Sequence, residues 1–175
     1  MIKRLLRRFG ALCLLLILIG LWAYNDVIFP PEVIRAPTAR VIDGDSIVAN
    51  GITFRLYGID APEYRQLCKD AHGVDWPCGH AARAQLEAYV LAGTIACTPK
   101  AVDQYHRKVA PCSSATTPDL GEAMVQAGLA ISPAMRGEAA YAAAEQMALD
   151  GKRGIWQGDY QIPAEWRAAH LISQP

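Results

Sequence analysis

Residues 41–63 read VIDGDSIVANGITFRLYGIDAPE, and this stretch decides the fold. Ser46–Ala49 and Ile52–Tyr57 are short runs of β-forming residues separated by Asn50-Gly51. Asn-Gly is the strongest short-range hairpin signal, because both residues tolerate the positive φ of a tight turn. An antiparallel return carries the end of the second strand back beside the start of the first. Asp45 opens the first strand and Asp60 lies just past the second, so the two carboxylates are expected to meet at one end of the hairpin.

Outward from the hairpin, Thr38–Ile42 reads as a preceding strand, with Asp43-Gly44-Asp45 interrupting it. Thr94–Thr98 and Lys108–Ser113 read as two more strands. Helices are expected over Gly79–Leu91, over Asp119–Ala127 with a stop at Gly128, and over Gly137–Leu149 with Tyr141, Ala144, Met147 and Ala148 buried. Gly154-Ile155-Trp156 ends the last helix, and the tail Gln157–Pro175 is expected to wrap the surface. This order implies an α+β, mainly β fold: a closed five-stranded antiparallel barrel with about three packed helices.

The chain has 175 residues. Without its N-terminal segment about 140 remain, the size of one domain. The 17 basic and 17 acidic residues balance, but Lys3, Arg4, Arg7 and Arg8 precede the apolar start. Removing those four from 17 leaves 13 against 17, so the domain itself carries −4. That excludes a generic basic nucleic-acid binder and requires any such function to rest on a local site with a cation.

Residues 9–25, FGALCLLLILIGLWAYN, contain no charge. As a helix, a 17-residue run at ~1.5 Å per residue just approaches a ~30 Å hydrocarbon core. Trp22 and Tyr24 suit an interface, and the four preceding cations favour a cytoplasmic N-terminus. Residues 1–25 therefore read as a signal anchor or a cleaved signal peptide, with the lack of an A-x-A site favouring the anchor. Residues 26–37, with Pro30, Pro31 and Pro37, read as an extended tether to a domain over 38–175. Either reading puts the domain in the periplasm or outside the cell.

Four cysteines lie in the domain, Cys68, Cys78, Cys97 and Cys112. An even number in an exported domain implies two disulfides. Three pairings exist; Cys68–Cys78 and Cys97–Cys112 are preferred, the first stapling a Gly/Asp/Pro-rich loop and the second joining two candidate strands. A zinc site from Cys68, His72, Cys78 and His80 is the competing reading, with a spacing unlike that of known fingers.

The chemistry concentrates in Asp43, Asp45, Arg55, Asp60 and Glu63, all within 21 residues. Two converging carboxylates repel unless a cation lies between them, and a hard divalent metal with oxygen ligands resolves the conflict. Arg55 breaks the apolar pattern of its strand, and its fork fits two phosphate oxygens. Glu63, approached through Pro62, suits a general base acting on water. Singly, each residue has a plain structural reading as turn, surface group or cap; the hairpin makes them one set.

The set resembles the staphylococcal nuclease (thermonuclease-like) family, which has an OB-fold barrel. The matching pieces are Val41-Ile42-Asp43-Gly44-Asp45-Ser46, then Phe54-Arg55-Leu56-Tyr57-Gly58-Ile59-Asp60-Ala61-Pro62-Glu63, and Asp103-Gln104-Tyr105-His106-Arg107. Weaker matches follow at residues 124–130 (MVQAGLA) and at Gly154-Ile155-Trp156. The resemblance covers Thr38 to Trp156. It implies calcium held by Asp45 and Asp60 with the backbone of Ala61, where the staphylococcal enzyme has a metal-contacting Thr. It implies Asp43 as an acidic neighbour behind them, Arg55 and Arg107 as stabilisers of the charged transition state, and Glu63 as base. The implied activity is calcium-dependent hydrolysis of DNA and/or RNA, leaving a 3′-phosphate. His106 stands where the family commonly has Gly, and it is expected to face solvent without disturbing Arg107. The alternative is a membrane-tethered OB-fold module that binds nucleic acid or a partner without chemistry.

Overall fold

The computed structural model describes residues 13–20, 30–135 and 138–170. The chain divides into two compact units, Met1–Glu32 and Val33–Pro175. In the first, residues 13–20 are helical (α1), and Leu14 to Ile19 are exposed. Among the described residues no helix is long and apolar enough to cross a membrane. Most of the expected signal segment, residues 1–25, lies outside the described residues.

Among its described residues the second unit carries twelve strand segments and four helices. The strands are β1 (Ile34–Ala36), β2 (Ala39–Val41), β3 (Ser46–Ala49), β4 (Ile52–Leu56), β5 (Cys68–Lys69), β6 (Asp75–Trp76), β7 (Ile95–Cys97), β8 (Ala101–Val102), β9 (Lys108–Ala110), β10 (Cys112–Ser113), β11 (Ala134–Met135) and β12 (Glu138–Ala139). The helices are α2 (Cys78–Val90), α3 (Leu120–Gln126), α4 (Ala142–Asp150) and α5 (Pro163–His170), with a 3₁₀ turn at Gly154–Gln157.

The hairpin forms as its turn chemistry dictates. Asn50 and Gly51 take φ of 50° and 74°, and the register pairs Ser46 with Arg55 and Ala49 with Ile52. The expected closed five-stranded barrel is not what the ladders make. They form a mixed five-stranded sheet, β2-β3-β4-β9-β8, and a three-stranded sheet, β1-β7-β10. Three junctions link the two sheets, from β1 to β2, β7 to β8 and β9 to β10, and each contains a proline: Pro37, Pro99 and Pro111. Proline cannot donate to a ladder, so each continuous-looking strand breaks and turns at that point. The β4–β9 pairing is parallel, which the antiparallel expectation missed.

Other boundaries also move. Ile34–Ala36, read from sequence as tether, pairs with β7. The expected helix over 137–149 starts only at Ala142, because Ala134–Met135 pairs with Glu138–Ala139 and the Tyr141 N–H donates to Ser132 Oγ at 2.9 Å. Met147, expected to be buried, is exposed, whereas Ala144 and Ala148 are buried. The tail, expected to wrap the surface, contains a further helix, α5.

One core joins the hairpin to the helices. Ile47, Phe54 and Leu56 meet Leu86 of α2 and Leu120, Met124 and Val125 of α3. Asp119 caps α3 by accepting from the Gly121 and Glu122 N–H groups at 2.8 and 3.2 Å, and Gly128 at φ 70° ends the turn that follows. Both preferred disulfides are present, Cys68–Cys78 and Cys97–Cys112. With Cys68 and Cys78 bonded to each other, no thiolates remain for the zinc alternative. Cys97 and Cys112 face each other across the β7–β10 ladder. Their bond closes a loop with a sequence separation of 15, so its removal by paired Cys→Ala changes should lower the unfolding free energy by about 3 kcal/mol. Denaturant melts of the oxidised wild type and the double variant check this, and equal midpoints would contradict it.

Candidate active site

The hairpin's open end builds the site. Ser46 pairs with Arg55, and the Leu56 N–H donates to the Asp45 carbonyl at 2.8 Å, so Asp45 sits beside the end of β4. Just past β4, Asp60 exchanges backbone hydrogen bonds with Ile131, both at 2.9 Å. This bridge fixes Asp60 to the chain leaving α3. Asp45 and Asp60 are only 4% and 5% exposed. Arg55 spans them, with Nη1 2.7 Å from Asp45 Oδ2 and Nη2 2.9 Å from Asp60 Oδ1. The two carboxylates that the sequence expected to converge do so, around a guanidinium.

Close packing holds the surrounding turns. A Cβ on Gly44 would stand 2.7 Å from that of Ala61 and 2.8 Å from that of Ala82, so the Asp43-Gly44-Asp45 turn lies directly against Ala61 and α2. The Ala61 N–H points at Asp45 Oδ2 from 3.5 Å, and Asp43 Oδ1 accepts from the Asp45 N–H at 3.1 Å. On the other side, a Cβ on Gly79 at the start of α2 would strike the Glu63 carbonyl. Glu63 is fixed further by Gln66, fully buried, whose Oε1 accepts from the Glu63 N–H at 3.1 Å and whose own N–H donates to the Glu63 carbonyl at 2.7 Å.

Arg107 reaches the site from the β8–β9 turn. Asp103 organises that turn: its Oδ1 accepts from the Tyr105 and Arg107 N–H groups, both at 2.9 Å, and its Oδ2 lies 2.7 Å from Arg107 Nε. Although partial burial raises the Asp103 carboxyl, these hydrogen bonds hold it below its usual range. His106 takes a φ of 61°, the glycine-like conformation, and is exposed as expected. The turn is therefore kept at a modest backbone cost. Arg107 Nη1 then donates to Ser46 Oγ at 3.3 Å, and Ser46 Oγ donates to Asp45 Oδ1 at 2.7 Å. Ser46 thus links the second arginine to the buried aspartate, a role with no signal beyond its place after Asp45.

These groups line a cleft of about 770 Å³ that includes Arg55, Asp60, Glu63, Tyr105, Arg107 and Arg167. Arg167 of α5 was given no role by the sequence. Its Nη1 and Nη2 lie 2.9 and 3.1 Å from the two Asp60 oxygens, and Nη1 is 2.6 Å from Glu63 Oε1. The only sequence sign of a second element here is Pro163 ahead of Glu165, a helix start. Tyr105, 68% exposed, lies under the Arg107 guanidinium at 5.4 Å.

Charge does not balance in this cleft. Four carboxylates that line it (Asp43, Asp60, Glu63, Asp103) face three guanidinium groups (Arg55, Arg107, Arg167), with Asp45 buried against Arg55. Burial pushes the Asp45 carboxyl up to about 7, against the pull of Arg55. Among the described residues no group of three or more His, Cys, Asp or Glu side chains is gathered in metal-holding geometry. The carboxylate oxygens of Asp45 and Asp60 are hard donors, the class of ligand that a hard divalent cation takes.

The staphylococcal nuclease homologue family model matches residues 53–158. The chain belongs to this family. The succinoglycan biosynthesis protein ExoI of Rhizobium meliloti (strain 1021) is 31% identical over 138 residues, which cover 78% of this chain and 72% of that protein. The probable endonuclease LCL3 of Paracoccidioides brasiliensis (strain Pb18) is 33% identical over 135 residues, 66% of this chain and 38% of that protein. The same-named protein of Schizophyllum commune is 31% identical over 134 residues, covering 66% of this chain and 44% of its own length. The chain therefore spans less than half of each of these two endonuclease-named relatives. The family match includes Arg55, Asp60, Ala61, Glu63 and Arg107, while Asp43, Asp45 and Arg167 lie outside it.

Because the Glu63 backbone lies against Gly79, Gly79→Ala should displace the residue 63–66 turn and lower the unfolding free energy by about 1–3 kcal/mol. Chemical denaturation measures this. Unchanged stability would show that the turn yields freely and does not hold Glu63 in place.

Proposed function

We propose that this protein is a calcium-dependent phosphodiesterase that hydrolyses DNA and/or RNA. The observation that carries the reading is the meeting of Asp45 and Asp60 around Arg55, in a cleft that Glu63 and Arg107 also line. Family membership and the endonuclease names of two relatives support a nuclease-type activity.

In this reading Asp45 and Asp60 hold the ion together with the backbone of Ala61, and Asp43 keeps the turn of Asp45 in place. A bound calcium ion would supply positive charge next to a phosphoryl oxygen. Arg55 and Arg107 present N–H donors to the remaining phosphoryl oxygens, where negative charge grows as water attacks phosphorus. Glu63 takes the proton from that water. The P–O bond to the 5′-oxygen breaks, that oxygen takes a proton from solvent to leave as a hydroxyl, and the phosphate stays on the 3′ side. Arg55 must exchange carboxylate for phosphate during this cycle, and it lines the cleft from which the phosphate would approach.

We further propose that the domain works outside the cytoplasm, in the periplasm or beyond, tethered through residues 1–25. Two disulfides suit an oxidising compartment. The exposed apolar side chains Leu14 to Ile19 suit a lipid environment.

Cleavage of DNA and RNA by the purified chain in calcium should fall by at least about 100-fold in Glu63→Gln and in Arg107→Ala, and should stop in excess chelator. Full cleavage in chelator, or in either variant, would overturn the assignment. Binding without any cleavage would favour the non-catalytic module.

A further inference from the structure

The placement of α5 has a chemical consequence that the nuclease reading does not supply. Its guanidinium, Arg167, makes a two-pronged pair with Asp60, at 2.9 and 3.1 Å, and at the same time pairs with Glu63 at 2.6 Å. It thereby occupies both the carboxylate proposed to hold the ion and the carboxylate proposed to act as base. Forked, charge-assisted pairs of this kind are among the strongest side-chain contacts. Arg55 donates to the same Asp60 Oδ1, so that oxygen receives two guanidinium donors and Oδ2 one.

The helix is held in this position by the chain before it. The buried Gln66 amide donates to the Gln161 carbonyl at 2.6 Å, and the Lys69 N–H donates to the Asp159 carbonyl at 2.7 Å. Pro163 is buried. Beneath this segment, Cys68, Cys78 and Ile155 form a small apolar cluster with Trp76, Trp156 and Tyr160. The disulfide-stapled loop is thus a platform that aims Arg167 at the carboxylates. Gln66 serves both sides, holding Glu63 through one end of its amide and the α5 approach through the other.

We propose that α5 is an autoinhibitory strap whose Arg167 stands in for the divalent cation at Asp60, so that ion loading requires Arg167 to let go. This rests on the calcium reading of the preceding section. A side chain that is 35% exposed can swing out without unseating Pro163, so release needs no unfolding of the domain. The apparent affinity of a site is lowered by the fraction of molecules in which it is blocked. Removal of the guanidinium should therefore tighten ion binding.

Calorimetric titration of the purified full chain with calcium chloride, in the absence of substrate, tests this without reference to activity. Arg167→Gln should bind calcium about tenfold more tightly than wild type, and Arg167→Lys, which keeps the charge but loses the fork, should fall between them. The Lys variant preserves the comparison if the Gln variant does not fold. Equal affinity in wild type and variants would overturn the strap while leaving the calcium reading intact. Weaker binding in Arg167→Gln would also overturn it, because the arginine would then assist the ion. Absence of calcium binding in every form would overturn the calcium reading and the strap with it.

Discussion

Arg55 between Asp45 and Asp60 is the contact on which the site depends. Two carboxylates almost wholly removed from water would be prohibitively costly side by side without a cation. The hairpin nevertheless forces them together, because its register sets Arg55 opposite Ser46 and leaves Asp45 next to the end of β4. The guanidinium offsets part of the repulsion, and the Asp45 carboxyl still rises to about 7. A fold that placed its buried charges for stability alone could have replaced such a set with apolar side chains at no loss. Under the proposed phosphodiesterase function, the set would hold a further cation and an anionic substrate.

Much of this was legible in 23 residues. Asn50-Gly51 dictated the turn, the turn dictated the register, and the register placed Asp45 and Asp60 at one end. The cysteine pairs followed from loop chemistry and from candidate strand ends, and both formed. What failed did so for identifiable reasons. The barrel was expected from the order of strands and helices, with Lys108–Ser113 as one strand, but Pro111 breaks that strand and the ladders form two sheets. The start of α4 shifted because Ser132, distant from the helix pattern, captures the Tyr141 N–H.

The largest omission was Arg167. Nothing in its local sequence marks it, since a lone arginine in an amphipathic tail usually faces water. Its role depends on a contact spanning 107 residues to Asp60, set by Gln66 and the Cys68–Cys78 loop rather than by any periodic pattern. Ser46 was missed for the same reason: its hydroxyl matters only because Arg107 arrives beside it from the far side of the sheet. Arg167 lies outside the motif that announces the cleft, and Ser46 lies at its edge, its hydroxyl acting only through the folded network. Family membership points to a nuclease-type chemistry, while these two contacts are read only from the folded chain.

The most direct test of the central claim is a crystal structure of the chain grown with calcium and a nucleoside 3′,5′-bisphosphate. The account predicts an ion between Asp45 and Asp60, with Arg55 and Arg107 turned onto the phosphate. An ion bound elsewhere, or Arg55 still bridging the two aspartates with the ligand present, would contradict it.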